Sequence, residues 1–234
     1  LQSGKQVQVT DANGRQQTLQ ADNLVIATGA RARELPVLPF DGDRIWGYRD
    51  ALSAKALPKS LVVIGAGAIG MEFASFYATL GTQVTVVEAA PRVLPASDED
   101  VSAFARQAMA KDGIRFLTDA TLVAGQVQAD GVHLTVEQKG RSLQLQAERV
   151  LVAVGLAGNS EGLGLEHTRV EVERGLIQVA DWGVTAEPGI HAIGDITGAP
   201  MLAHKASHEG IAAVEHIAGL RSGAQHHAPI PSCV

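Results

Sequence analysis

The chain has 234 residues, 46% of them hydrophobic and 19% charged, which suits one large globular domain or two small ones. A net charge of −6 argues against nucleic acid or an anionic membrane surface as partner, and no apolar run approaches the ~20 residues of a bilayer span. The single cysteine, Cys233, excludes an intrachain disulfide and makes the reduced cytoplasm the expected setting.

Residues 6 to 21 alternate around Asn13-Gly14, a dipeptide suited to a type I′ hairpin. Leu24 to Ala27 then form a short buried strand ending in Thr28-Gly29. Residues 30 to 58 contain Pro36, Pro39, Asp41-Gly42 and Pro58, and read as a connection with at most one short helix near Asp50 to Lys55.

The next stretch organises the chain. Leu61 to Ile64 are apolar and mostly β-branched, the pattern of a parallel strand buried on both faces. Gly65, Gly67 and Gly70 follow in G-x-G-x-x-G spacing. Gly65 makes the tight turn, Gly67 lets a pyrophosphate approach the backbone, and Gly70 lets the helix sit close to the sheet. Phosphates would rest on the helix N-terminus, where free N–H groups and the dipole favour negative charge. Ile69, Phe73, Phe76, Tyr77 and Leu80 supply a helical stripe, and Gly81 a stop. Val84, Val86 and Val87 build a second strand ending in Glu88, placed to accept adenosine ribose hydroxyls and to repel a 2′-phosphate, so NAD is expected rather than NADP.

Ser97 or Asp98 can cap a helix with the stripe Val101, Phe104, Ala105, Ala108 and Met109, closed by Gly113. Ile114 to Leu117 complete a βαβαβ unit. Val132 to Val136 and the Lys139-Gly140 turn make a hairpin that leads to a fourth parallel strand, Val150 to Val154. Beyond a glycine-rich loop, Leu176 to Val179 form a short strand, and Ile190 to Ile193 a buried one running into Gly194-Asp195. The last helix turns Ala203, Ala206, Ile211, Val214 and Ile217 inward, and the composition from Arg221 is loop-like.

The chain also repeats itself. At a constant offset of 126 residues, Gly14, Arg15, Leu19, Gln20, Ala21, Ala27 and Gly29 match Gly140, Arg141, Leu145, Gln146, Ala147, Ala153 and Gly155. The second copy carries its glycine fingerprint about 90 residues before Gly155, and the same distance before Gly29 falls ahead of Leu1. The expectation is a piece of a longer protein with two related dinucleotide domains.

With the fingerprint, Thr28-Gly29 and Gly194-Asp195 taken together, nearly the whole chain resembles the flavoprotein disulfide reductases, most closely their dihydrolipoyl dehydrogenase branch. The resemblance implies an α/β fold of two Rossmann-like domains, an NAD domain (parallel sheet plus β-meander) inserted in a partial FAD domain. The implied boundaries are 1–34 for the end of the first FAD segment, 35–57 for a connection, 58–156 for the NAD domain, 157–221 for the second FAD segment, and 222–234 for a linker toward a dimerisation domain.

The residues implied toward FAD are Ala27, Thr28 and Gly29, then Asp195 on the flavin ribityl chain, and Met201, Leu202, Ala203 and His204 near the ring. Those implied toward NAD are Gly65, Ala66, Gly67, Ala68, Ile69, Gly70, Glu72 facing the nicotinamide, Glu88, Leu122 and Gly155. Where many members read G-R-x-P-N, this chain has Gly155, Leu156, Ala157, Gly158 and Asn159, which removes an arginine near the nicotinamide. The family's redox cysteine pair and His-Glu acid/base pair fall outside the segment, so no catalytic residue is assigned.

The implied parent oxidises dihydrolipoamide, the lipoyl group of a 2-oxo acid dehydrogenase complex, with NAD⁺ through FAD and a disulfide, as a homodimer. The chain alone is expected to be inactive. The competing reading is a non-catalytic module that binds or senses NAD(H). His204 and His208 stand at i and i+4, but Lys205 replaces the glutamate of H-E-x-x-H and no third ligand is evident, so no metal is assigned. His226-His227 reads as solvated and Cys233 as an inert thiol.

Overall fold

A computed structural model describes residue 1, residues 5–223 and residues 229–234; His226 and His227 lie outside the described residues. The chain divides into a split unit, Leu1–Arg31 with Ala157–Cys233, and a continuous unit, Ala32–Leu156.

The split unit opens with an antiparallel hairpin, β1 (Gln6–Thr10) and β2 (Gln16–Gln20). Its turn is not the expected type I′, because Gly14 alone takes positive φ (81°). The Asp11 carboxylate accepts the N–H groups of Asn13 and Arg15 and builds a longer loop. The strand β3 (Leu24–Ile26) follows, and β4 (Ala30–Ala32) carries the chain out of the unit.

In the continuous unit, β5 (Ile45–Trp46), α1 (Tyr48–Leu52), β6 (Ser60–Ile64), α2 (Ala68–Thr79), β7 (Gln83–Val87), α3 (Glu99–Lys111) and β8 (Arg115–Leu117) lead to the meander β9 (Ala120–Gln128), β10 (Gly131–Gln138) and β11 (Arg141–Ala147), then β12 (Arg149–Val152). The parallel sheet has the order β5-β12-β6-β7-β8. Its central strand explains the unbroken apolar run: Val62 and Ile64 pack on the meander residues Val132, Leu134 and Val136. Leu61 and Val63 pack on the other face against Met71, Ala74 and Tyr77 of α2. Burying each such side chain is worth about 1.5 to 3 kcal/mol. In the β10–β11 hairpin, Lys139 (φ 52°) and Gly140 (φ 74°) both take positive φ, the two-residue I′ turn.

Three expectations need correction here. Residues 35–57 are not only a connection, since Ile45–Trp46 forms the sheet's edge strand beside β12. The buried face of α2 is Gly70, Met71, Ala74 and Tyr77, whereas Phe76 and Leu80 are exposed. Gly70 and Ala74 let the helix lie close on the sheet, Met71 and Tyr77 pack beside them, and the Tyr77 hydroxyl donates to the Ala51 carbonyl (2.7 Å). In α3, capped by Asp98 as expected, the buried residue is Ser102, which donates to the Val93 carbonyl (2.5 Å). Val101 and Phe104 are exposed.

β13 (Leu156–Gly158) returns the chain to the split unit, which adds the ribbon β14 (Val172–Glu173) and β15 (Leu176–Ile177), the strand β16 (Ile190–Ala192), a 3-10 turn over Gly194–Thr197, and α4 (Ala203–Ile217). β16 pairs in parallel with β3, Ala192 opposite Ile26. Ile26, Leu165, Ile177, Ile190 and Ile196 form the core. The stripe expected on α4 is rotated: Ala212, Ala213 and Lys205 are buried, and Ile211 and Val214 are exposed.

Candidate functional site

A crevice of about 550 Å³ opens in the continuous unit at the carboxyl ends of β6, β7 and β12. β7 and β12 flank β6 on opposite sides, so this is the topological switch point where open α/β sheets hold ligands. Gly65, Gly67, Ala68, Ile69, Glu88, Leu122 and Gly155 line it, joined by Leu35, Pro95 and Thr121. Among these lining residues Glu88 is the one charged group.

The three glycines have different reasons to be glycine. A Cβ on Gly65 (φ 102°) would run into the Ala153 carbonyl oxygen, and one on Gly70 into that of Gly65. Both are required by packing. Gly67 has an ordinary φ of −73°, and a Cβ there would meet nothing within 4 Å. Neither backbone conformation nor packing among the described residues requires glycine at 67. Gly67 is also the N-cap of α2, and no side chain caps that helix. Its first N–H groups are thus available to an anion.

Glu88 does more than line the crevice. Its Oε2 accepts the Ala66 N–H (2.6 Å) and its Oε1 the Ala90 N–H (2.7 Å). Ala66, expected to touch a cofactor, is wholly buried with its N–H already committed, so it supports the loop from behind. Gly70 is buried beneath the helix, and Glu72 is exposed outside the residues lining the crevice. Sequence reading missed the apolar wall at Leu35 and Pro95; neither residue type carries a signal of that use.

In the split unit the other expected residues gather at the ends of β3 and β16. Asn159 ties down Ala27-Thr28-Gly29: its side-chain amide donates to the Thr28 carbonyl (2.9 Å), its backbone N–H to the Gly29 carbonyl (3.0 Å), and its own carbonyl accepts the Thr28 hydroxyl (2.9 Å). The Gly194–Thr197 turn is gripped at both ends from α4. Glu209 Oε2 accepts the Gly194 N–H (2.7 Å), Glu209 Oε1 pairs with Lys205 Nζ (2.9 Å), and Lys205 donates to the Gly198 carbonyl (3.3 Å). The turn presents Asp195, whose carboxylate has no partner among the described residues. Met201 and Leu202 lead into α4, where Ala203 and His204 form an N-terminus with no side-chain cap. His204 Nε2 lies 2.9 Å from the Pro231 carbonyl and His208 is exposed. No group of three or more potential metal ligands occurs among the described residues, and no helix there is long and apolar enough to cross a membrane.

Residues 1–210 match the family model for pyridine nucleotide-disulphide oxidoreductases. A dihydrolipoyl dehydrogenase of Rhizobium etli is 48% identical over 204 residues, covering 87% of this chain and 42% of that protein. One from Zymomonas mobilis is 46% identical, covering 94% and 47%. The solved structure of LpdA from Mycobacterium tuberculosis superposes with a TM-score of 0.86 at 33% identity, covering 94% of this chain and 48% of LpdA. The NAD-dependent persulfide reductase from A. fulgidus gives 0.80 at 26% identity, covering 94% and 43%. The chain spans about half the length of the relatives it matches. It belongs to the pyridine nucleotide-disulphide oxidoreductase family, whose cofactors are FAD and NAD(H).

Proposed function

We propose that the continuous unit is the NAD(H)-binding part, and the split unit the partial FAD-binding part, of a dihydrolipoyl dehydrogenase. The observation that carries the reading is Gly67, a glycine the fold does not need, beside an uncapped helix N-terminus. The N–H groups at the start of α2 hold the pyrophosphate, Glu88 accepts ribose hydroxyls, and Leu35, Leu122 and Pro95 give the adenosine end an apolar wall. Glu72 and Gly155 lie toward the nicotinamide in this reading.

In the split unit, Ala27, Thr28 and Gly29 close the flavin site, Asp195 accepts from the ribityl hydroxyls, and the open N-terminus of α4 at Met201 to His204 favours negative charge on the ring. Bound FAD and NAD(H) supply hydride and electron transfer; the chain's residues orient them. The parent would oxidise the dihydrolipoamide of a 2-oxo acid dehydrogenase complex, as a cytoplasmic homodimer. The names of relatives at 40 to 48% identity support that substrate. The stand-alone NAD(H)-binding module draws its support from the single cysteine, and the mass of the native polypeptide separates the two readings.

The test uses residues 1 to 234 as purified. NADH is expected to bind at least about tenfold more tightly than NADPH, the value of roughly one charged hydrogen bond. Equal affinities would remove Glu88 from ribose recognition. The same sample should show no retained flavin and no turnover with dihydrolipoamide; a yellow protein with stoichiometric FAD, or measurable turnover, would contradict the assignment of parts.

A further inference from the structure

We propose that Glu88 is the positioning residue of the glycine loop as well as an acceptor for ligand hydroxyls, so that loop shape and ribose recognition are one device. The ligand half of this rests on the reading above; the loop half does not.

The Ala66 peptide is pinned on both sides by the segment that follows β7. Its N–H donates to Glu88 Oε2 (2.6 Å) and its carbonyl accepts the Leu94 N–H (2.7 Å). One residue earlier, the Gly65 N–H donates to the Val87 carbonyl (2.8 Å). The loop therefore leaves β6 clasped to the end of β7, and the first N–H groups left for phosphate belong to Gly67 and the residues after it. Without the staple the Ala66 peptide would hang on the Leu94 bond alone, and the N–H groups that follow would be less firmly aimed.

The carboxylate can do both tasks because of its lone pairs. An ionised carboxylate offers about four acceptor positions. Two are used, by Ala66 and Ala90, and no cation pairs with Glu88 among the described residues. The positions left over belong to a group that lines the crevice, so a ribose diol can be received without undoing the staple. A residue serving the ribose alone would have no reason to accept both backbone donors. One serving the loop alone would have no reason to face the crevice.

The discriminating ligand is an NADH analogue whose adenosine ribose lacks both hydroxyls, because it cannot report on ribose recognition. Glu88→Gln keeps the size but has one acceptor oxygen for two N–H groups. The variant should bind the analogue about tenfold more weakly than the unmodified protein does, and its Ala66 amide should exchange with solvent at least about tenfold faster. Unchanged affinity for the analogue with unchanged Ala66 exchange would overturn the proposal and leave Glu88 a ribose acceptor only. If the unmodified chain fails to bind NADH, the reading of the crevice falls, while faster Ala66 exchange in Glu88→Gln still supports the staple. Should the variant not fold, the unmodified protein decides: slow exchange at both Ala66 and Ala90 supports the staple, and fast exchange at both overturns it.

Discussion

Two turns in this molecule leave the end of a parallel strand, and each has a glutamate oxygen accepting one of its N–H groups: Glu88 on Ala66 after β6, and Glu209 on Gly194 after β16. The difference lies in what else the carboxylate does. Glu209 is paired with Lys205, whose side chain is only 9% exposed, so its charge is spent inside the protein. Glu88 has no cationic partner among the described residues and lines a crevice. The first turn is further held by close packing that only glycine permits, the second by the ion pair. A turn held by packing leaves its acid and its helix N-terminus available to a ligand, whereas a turn held by an ion pair consumes its acid and presents a different one, Asp195.

The largest effect expected from breaking this contrast is Gly70→Ala, where the added methyl meets the Gly65 carbonyl. Overpacking against backbone should cost about 3 kcal/mol, read as a lower denaturant midpoint. A stability within error of the parent would show that the loop is not held by close packing. Lys205→Met tests the other turn: it removes the charge that balances Glu209 and the donor to Gly198, with an expected loss of about 2 kcal/mol. Because the continuous unit does not contain this pair, NADH affinity should stay unchanged.

The smallest effect is a pH dependence confined to the split unit. Burial holds the His191 imidazole below its ordinary value; its contact with the Trp182 carbonyl opposes this and His216 adds to it. A base with a lowered folded pKa protonates first in the unfolded chain. Its stability contribution is therefore intact above the ordinary value of about 6.5 and declines as pH falls through that value toward the folded one. His191→Phe should flatten melting temperature against pH between about 7 and 5, while the parent slopes downward; parallel curves would assign the slope to other groups.

Much of this was legible before the structure. The strand-glycine-helix-strand-acid run places the crevice, since each glycine at that spacing has a mechanical task, and the offset repeat makes the β1–β2 hairpin and β3 the counterpart of β10–β11 and β12. What escaped reading has physical causes. In alanine-rich α2 and α4 several phases of a 3.6-residue pattern compete, and the phase that packs inward leaves Phe76, Leu80, Ile211 and Val214 outside. Lys205 is buried through a partner one turn away, which hydropathy cannot show. Ile45–Trp46 is too short to rise above the Pro and Gly around it. Asn13-Gly14 and Lys139-Gly140 look alike, but Asp11 offers the first pair a side-chain acceptor that reshapes the loop. The staple by Glu88 joins residues 22 apart and has no local signature.

The central claim, that the crevice is shaped for a dinucleotide, is tested most directly by Gly67→Ala on the 234-residue chain. A methyl at 67 meets nothing in the protein, and φ is ordinary, so unfolding stability should stay within about 1 kcal/mol of the parent. NADH affinity, measured by fluorescence titration on the same sample, should fall by tenfold or more as the methyl occupies the space left for the pyrophosphate. Undiminished NADH binding in a stably folded Gly67→Ala protein would contradict the account.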